Sequence, residues 1–406
     1  MTECSMTIRW RELMAGRRTL LAAVLGVAFN TLPLYTASVF INALHLDRGW
    51  TLSGLSFGLT LFMVVMAICT PAMASIFDRF DVRRVVLPGL LLQVAGFLIL
   101  TRIDSLTGYW LAMAVAAVLS SVSSAPVYMR IVNRTFDVSK GTALALAVTG
   151  AGVFSALVPP ALQAVVADSG WRWGYASVAT VVLCGTPVIF VLLKNYRERP
   201  EPNRDAQAAP LTDFRYRTLF TSSTFLQISL GIFIVAVACT GLLVHFAPML
   251  TRGGFTAQEA AWMISVIGVT QVVSRLATGA LIDNFFAPRV AASIMAISSL
   301  GIALLFWGGT DWAVVGAIAV GMAYGAEVDL GGYFAGRYFP AHHFGKIFGA
   351  TYGIFLTGIA ISPSLYGLVV DQFGTYKPAI AGASILLLIA AGLFLKLPTF
   401  PTATPR

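Results

Sequence analysis

Arg275, Glu327 and Asp329 stand inside stretches that are otherwise apolar, and Gln271 lies one helical turn before Arg275. An ionisable group in a hydrocarbon layer costs at least ~2.5 kcal/mol on insertion scales, so one that persists there faces a cavity or a partner. The Arg275 guanidinium is a permanent planar fork that suits a carboxylate and cannot shed its charge to escape burial. Gln271, on the same helical face, adds an amide to that grip. Glu327 can neutralise Arg275; if a proton displaced it, the guanidinium would be open to an incoming anion, and that exchange would couple the anion to a proton. Glu327 and Asp329 are two positions apart, hence about 200° apart around a helix, and cannot both face one cavity. Tyr324, Glu327 and Gly331 share one stripe, while Asp329 lies with Gly325 and Tyr333 on another. Glu327 is therefore the preferred proton carrier, with Asp329 as a packing or relay residue. His245 is a third candidate, since histidine is the side chain that ordinarily titrates near neutral pH; the alternative is a helix-end contact.

Asn30, Tyr35, Tyr128, Tyr324 and Tyr352 are polar groups set well inside apolar segments, where they can orient an oxygen-bearing ligand or bond one helix to another. No nucleophile with a base, no metal cluster and no phosphate loop is present, so the sequence points to no enzyme, no metal and no cofactor. Cys4, Cys69, Cys184 and Cys239 have neither metal spacing nor a disulfide framework.

The elements that must hold these groups are membrane helices. The chain has 406 residues, 57% of them hydrophobic and 11% charged, with a mean hydropathy of +0.81. A spanning helix needs ~20 apolar residues. Twelve segments qualify, at 19–43, 52–77, 84–103, 107–131, 141–166, 172–194, 219–249, 258–284, 288–308, 312–336, 345–370 and 377–397. None alternates like a barrel strand, and in lipid the backbone must satisfy its own hydrogen bonds, so the fold class is an all-α membrane protein. Lys and Arg concentrate at the termini and after even-numbered segments, leaving only Arg48, Arg102, Arg172, Arg252 and Lys377 on the other side. Both termini are thus expected in the cytoplasm, as for an inner-membrane, multi-pass protein. The net charge of +9 then records topology rather than nucleic-acid binding.

The second half repeats the first. Asp78, Arg134, Phe136, Gly141, Pro159, Asp168 and Gly170 recur as Asp283, Arg337, Phe339, Gly345, Pro363, Asp371 and Gly374, each about 204 positions later. The expected organisation is an N-terminal six-helix bundle over 1–194, a cytoplasmic linker over 195–218 and a C-terminal bundle over 219–406. Pro159, Pro160 and Pro363 are expected to bend the fifth and eleventh segments. Gly345, Gly349 and Gly353 are expected to let helix backbones approach closely.

The loop Ala74-Ser-Ile-Phe-Asp78-Arg79-Phe-Asp81-Val-Arg83-Arg84 and its counterpart Gly279-Ala-Leu-Ile-Asp283-Asn284-Phe-Phe-Ala-Pro-Arg289 resemble the G-x-L-x-D-R-x-G-R-R signature of the major facilitator superfamily. The sequence departs from that signature at Ala74, Asp81 and Asn284. The resemblance implies two pseudo-symmetric six-helix bundles that alternate access, with Asp78, Arg79, Arg134, Asp283 and Arg337 working the cytoplasmic gates through charge pairs made and broken between states. The run Tyr324-Gly-Ala-Glu327-Val-Asp329-Leu-Gly-Gly-Tyr333-Phe-Ala-Gly-Arg337, with Phe344-Gly345-Lys-Ile-Phe348-Gly349, looks like bacterial relatives of the monocarboxylate and oxalate/formate porters. Gln271-Val-Val-Ser-Arg275 stands where animal monocarboxylate carriers have Asp-x-x-x-Arg. The resemblance implies that Arg275 binds the anion, and Gln271 cannot take the proton that an aspartate would.

The function expected is secondary transport of a small organic anion of monocarboxylate type, aromatic acids included, coupled to protons, by a monomer in the lipid bilayer. Proton-coupled efflux of drugs or other lipophilic compounds is the alternative, and a transporter-like membrane sensor is the alternative of another class.

Overall fold

The structure is a computed structural model that describes residues 10–77, 80, 82–136, 139–196, 219, 221–339 and 344–400, without the side chains at 71, 72, 74–77, 82, 140, 141, 283, 328, 329 and 344–346. Asp78, Arg79 and most of the 195–218 linker lie outside the described residues. Among those described, every regular element is helical. The helices are α1 (Arg17–Arg48), α2 (Leu52–Phe77), α3 (Val82–Leu100), α4 (Leu106–Ser121), α5 (Ala125–Thr135), α6 (Lys140–Ser169) and α7 (Trp171–Leu192), followed by α8 (Ser223–Arg252), α9 (Ala257–Asn284), α10 (Ala287–Gly308), α11 (Ala313–Tyr338), α12 (Phe344–Phe373) and α13 (Lys377–Leu395). Among the described residues eleven apolar stretches are long enough to cross a membrane, and one of them, Ala287–Tyr338, contains both α10 and α11 joined by the 3-10 turn Gly309–Trp312. The described residues therefore hold twelve spans.

The fourth span is two helices rather than one. Ser124 is extended, with φ −77° and ψ 160°, and Pro126 sits in the first turn of α5. Proline has no N–H to give to a preceding turn, so the helix stops and restarts there. The Ser123 hydroxyl, freed at this break, hydrogen-bonds the Tyr128 hydroxyl at 2.5 Å. By contrast Pro159, Pro160 and Pro363 stay inside unbroken helices.

The chain groups into two compact units, Met1–Trp50 with Leu61–Ala209 and Thr51–Thr60 with Pro210–Arg406. The same pairs of helices pack within each: α1 on α6 as α8 on α12, α3 on α7 as α10 on α13, α3 on α4 as α10 on α11, and α1 on α7 as α8 on α13. The repeated Gly170 and Gly374 have φ of +84° and +68°, a backbone that glycine adopts without strain. The units also close alike. After the last helix of the first, Leu193 and Tyr196 turn back into buried positions, with Tyr196 N–H donating to Leu193 O at 2.9 Å. After the last helix of the second, Leu397 is buried and donates its N–H to Phe394 O at 3.1 Å, and the Phe400 ring sits 5.2 Å from Phe286 and 5.0 Å from Tyr338. The Tyr338 hydroxyl holds this turn by donating to Pro398 O at 2.6 Å.

At the other end of the first unit Asp104 accepts from Arg172 at 2.7 Å and from Arg48 at 3.5 Å, and the Arg172 guanidinium lies 4.3 Å from the centre of the Trp171 ring. Two of the few basic residues on that side are thus tied to an acid and an indole. Close packing rests on glycine where α1 meets α5: a Cβ at Gly26 would overlap the Tyr128 ring. Gly26→Val should therefore destabilise the protein by ~1–3 kcal/mol, as overpacking does. Thermal melting of the detergent-purified protein checks this, with Gly382→Ala, where the added Cβ meets nothing within 4 Å, expected to melt like the unchanged chain.

Candidate functional site

Arg275 and Glu327 come from α9 and α11, and two glycines set their spacing. A Cβ at Gly321 would stand 2.5 Å from the Ile267 carbonyl oxygen, and one at Gly325 would collide with the Gln271 carbonyl. The two backbones touch, and Ser274 Oγ donates at 2.7 Å to the carbonyl oxygen of Met322, which lies between the two glycines on α11. The close approach expected of Gly349 and Gly353 does not occur: neither has an atom within 4 Å of where its Cβ would be. Small residues mark close packing only where a second helix arrives, and it arrives at Gly321 and Gly325.

Above that contact Arg275 is half-buried and within electrostatic reach of Glu327 and Tyr352. Glu327 is 1% exposed, its neighbour on α8 is the buried Cys239, and neither of its carboxyl oxygens has a hydrogen-bond partner among the described residues. An ionised carboxylate so placed costs several kcal/mol unless a charge compensates it. The Arg275 guanidinium is such a charge. Gln271 and Tyr324 are buried at the same junction. Tyr352, on α12, is 39% exposed, its ring 5.8 Å from Phe348 and 5.5 Å from Phe355. The backbone of Asp329 lies in α11, but its side chain is outside the described residues.

His245, on α8, occupies a separate place. Its Nε2 is 2.9 Å from the Pro363 carbonyl oxygen, which can only accept, so that nitrogen carries the proton. Ser56 Oγ lies 2.9 Å from the same nitrogen, and the Tyr376 hydroxyl donates to Nδ1 at 3.2 Å. Burial pushes the Tyr376 phenol above its ordinary range, which keeps it a donor. Nearby, Asp371 accepts from the Ser53 N–H at 3.0 Å and caps the start of α2. Rather than a helix-end contact, His245 is a buried junction of three segments.

The first unit holds the other candidates. Tyr128 is fully buried, its ring in the Gly26 notch and its hydroxyl on Ser123. Tyr35 is buried, and the Asn30 Nδ2 is buried with no hydrogen-bond partner among the described residues. Of the gating candidates, Arg134 lies in the last turn of α5. Arg337 is exposed, its guanidinium 5.1 Å from the Phe400 ring centre and 5.7 Å from that of Tyr333. Asp283 lies in α9 with its side chain outside the described residues.

The chain that forms these twelve spans is matched by a family profile described as the Major Facilitator Superfamily over residues 23–363 and again over 253–406. The chain belongs to the major facilitator superfamily. Among relatives of this superfamily member, monocarboxylate transporter 11 of Homo sapiens is 25% identical over 378 residues, covering 85% of this chain and 75% of that protein. Monocarboxylate transporter 12 of Xenopus laevis is 22% identical over 336 residues, covering 77% and 73%. The fold is similar to the crystal structure of a D-xylose-proton symporter, with a TM-score of 0.76 at 16% identity over 94% of this chain and 98% of that one. A bacterial homologue of the lysosomal transporter Spinster aligns with a TM-score of 0.72 at 17% identity over 93% and 95%. These relatives and neighbours are membrane transporters, and this superfamily member is one too.

Two flanks of Tyr352, Phe348 and Phe355, and the Ser56, Pro363 and Tyr376 partners of His245 are additions that the structure makes to the candidate residues. The spacing Phe348, Tyr352, Phe355 was a readable signal, since positions i, i+4 and i+7 share one helix face.

Proposed function

We propose that the protein moves a small organic anion of monocarboxylate type across the cell membrane by alternating access, acting as a monomer with both termini in the cytoplasm. The observation that carries this reading is Arg275 within electrostatic reach of Glu327 and Tyr352 in the second unit. The substrate carboxylate takes the guanidinium, with Gln271 and Tyr324 next to it. Glu327 is the proton partner: protonated, it leaves Arg275 to the substrate; ionised, it takes Arg275 back. The similarity to proteins named monocarboxylate transporters supports the substrate class. Arg134 and Arg337, with the acids at 78 and 283, serve the cytoplasmic gates.

The test is a thermal-shift comparison on the purified protein between each carboxylate and its uncharged amide. A ligand at 100 times its Kd stabilises the folded state by ~2.7 kcal/mol. Stabilisation by the acids and not by the amides is the expected result; equal shifts for both, or none with any acid, would overturn the reading.

A further inference from the structure

Gly349 and Gly367 are 18 residues apart on α12, which at 3.6 residues per turn is five turns, so they share one face. At Gly367 that face is covered, a Cβ there standing 2.6 Å from Ser53 Cα and 2.8 Å from Ser53 N. Gly358, about half a turn around the helix from both glycines, packs on α8, a Cβ there standing 3.0 Å from Ala236 Cβ and from Phe233 O. The open space beside Gly349 therefore lies on the face away from that α8 contact, the face that meets Ser53 further along. Tyr352 borders that space with Phe348 and Phe355, their rings inclined to it by only 26° and 34°. Tyr352 is accessible although it stands within reach of the Arg275 and Glu327 charges. A flat aromatic wall, a floor without side chains and a guanidinium within electrostatic reach of that wall make a slot for a planar group that carries a carboxylate.

We propose that the site takes arylcarboxylates, with the aromatic ring over Gly349 against Tyr352 and the carboxylate on Arg275. This rests on the reading of Arg275 as the anion residue. An acid with no ring leaves the wall and floor uncovered. A flat ring covers both and needs no polar partner there, and none of the three bordering side chains carries a charge.

The experiment measures binding of benzoate, phenylacetate, acetate, pyruvate and benzamide to the purified full chain and to Gly349→Leu and Tyr352→Leu. The unchanged protein is expected to bind benzoate or phenylacetate at least tenfold more tightly than acetate. Gly349→Leu fills the floor where no neighbour stands within 4 Å, so the fold is expected to tolerate it. It should weaken the aryl acids at least tenfold while leaving acetate and pyruvate within twofold, and Tyr352→Leu, which removes the wall, should weaken the aryl acids at least tenfold as well. Equal affinity for benzoate and acetate in the unchanged protein, or a loss shared by all acids in Gly349→Leu, overturns the aryl slot and leaves the anion site standing. Benzamide binding as tightly as benzoate, or no acid binding, removes the anion site itself and the slot with it.

Discussion

Arg275→Ala is expected to abolish carboxylate transport while leaving a folded protein. Truncating one side of a buried, hydrogen-bonded charge pair costs ~2–5 kcal/mol, which is about 30-fold to several thousand-fold in affinity. The substrate loses its only fixed cation, since among the described residues no other basic side chain is found in reach of Glu327 and Tyr352. Glu327 loses its compensating charge as well and is left to be protonated, its carboxyl oxygens having no hydrogen-bond partner among the described residues. Arg275→Lys should fall between, because an ammonium keeps the charge but not the planar fork. Uptake of labelled carboxylate into proteoliposomes measures the loss, and melting without ligand separates it from misfolding. Full transport by Arg275→Ala would sink the assignment. The double variant Arg275→Ala with Glu327→Gln should lose little beyond the single one, a non-additivity expected of residues that act as a pair.

Glu327→Gln is expected to keep binding and lose accumulation. Glutamine has nearly the shape of a protonated glutamate but cannot release a proton, so the site is fixed in the form that leaves Arg275 to the substrate. For one proton moved with one monovalent anion, each pH unit of gradient is worth ~1.4 kcal/mol, or a tenfold concentration ratio. Proteoliposomes with a gradient of one pH unit should therefore accumulate substrate about tenfold with the unchanged protein and not at all with the variant. Exchange of labelled for unlabelled substrate should continue, because it needs no net proton movement. Tenfold accumulation by Glu327→Gln would move the proton to another group, with His245 the first to test, since its Nδ1 is the ring nitrogen that carries no proton.

The buried charges were legible in the sequence because their surroundings are so apolar that Arg275 and Glu327 stand out unaided. The twelve spans and the repeat were legible for a related reason: lipid permits few backbone solutions, and a duplicated set of them leaves matching residues such as Gly170 and Gly374. Less readable was anything that depends on what arrives from elsewhere in the chain. A glycine reads the same whether it touches a neighbour, as Gly325 does, or faces open space, as Gly349 does. The partners of His245 come from positions 56, 363 and 376, and no local pattern links them. The break in the fourth span was written in Ser123-Ser124-Ala125-Pro126, but its hydropathy carried straight across.

The two closures after α7 and α13 bear on how such a chain arose. Leu193 and Leu397, and Tyr196 and Phe400, are each 204 positions apart, and each pair turns back after the final helix of its own unit. Each six-span half therefore carries its own ending within itself. A half that ends this way holds the residues that close it within its own sequence, so joining two such halves needs only a tether between them. The closing residues match in character between the halves, whereas Arg275 and Glu327 have no charged counterpart 204 positions earlier, at Pro71 and Ser123.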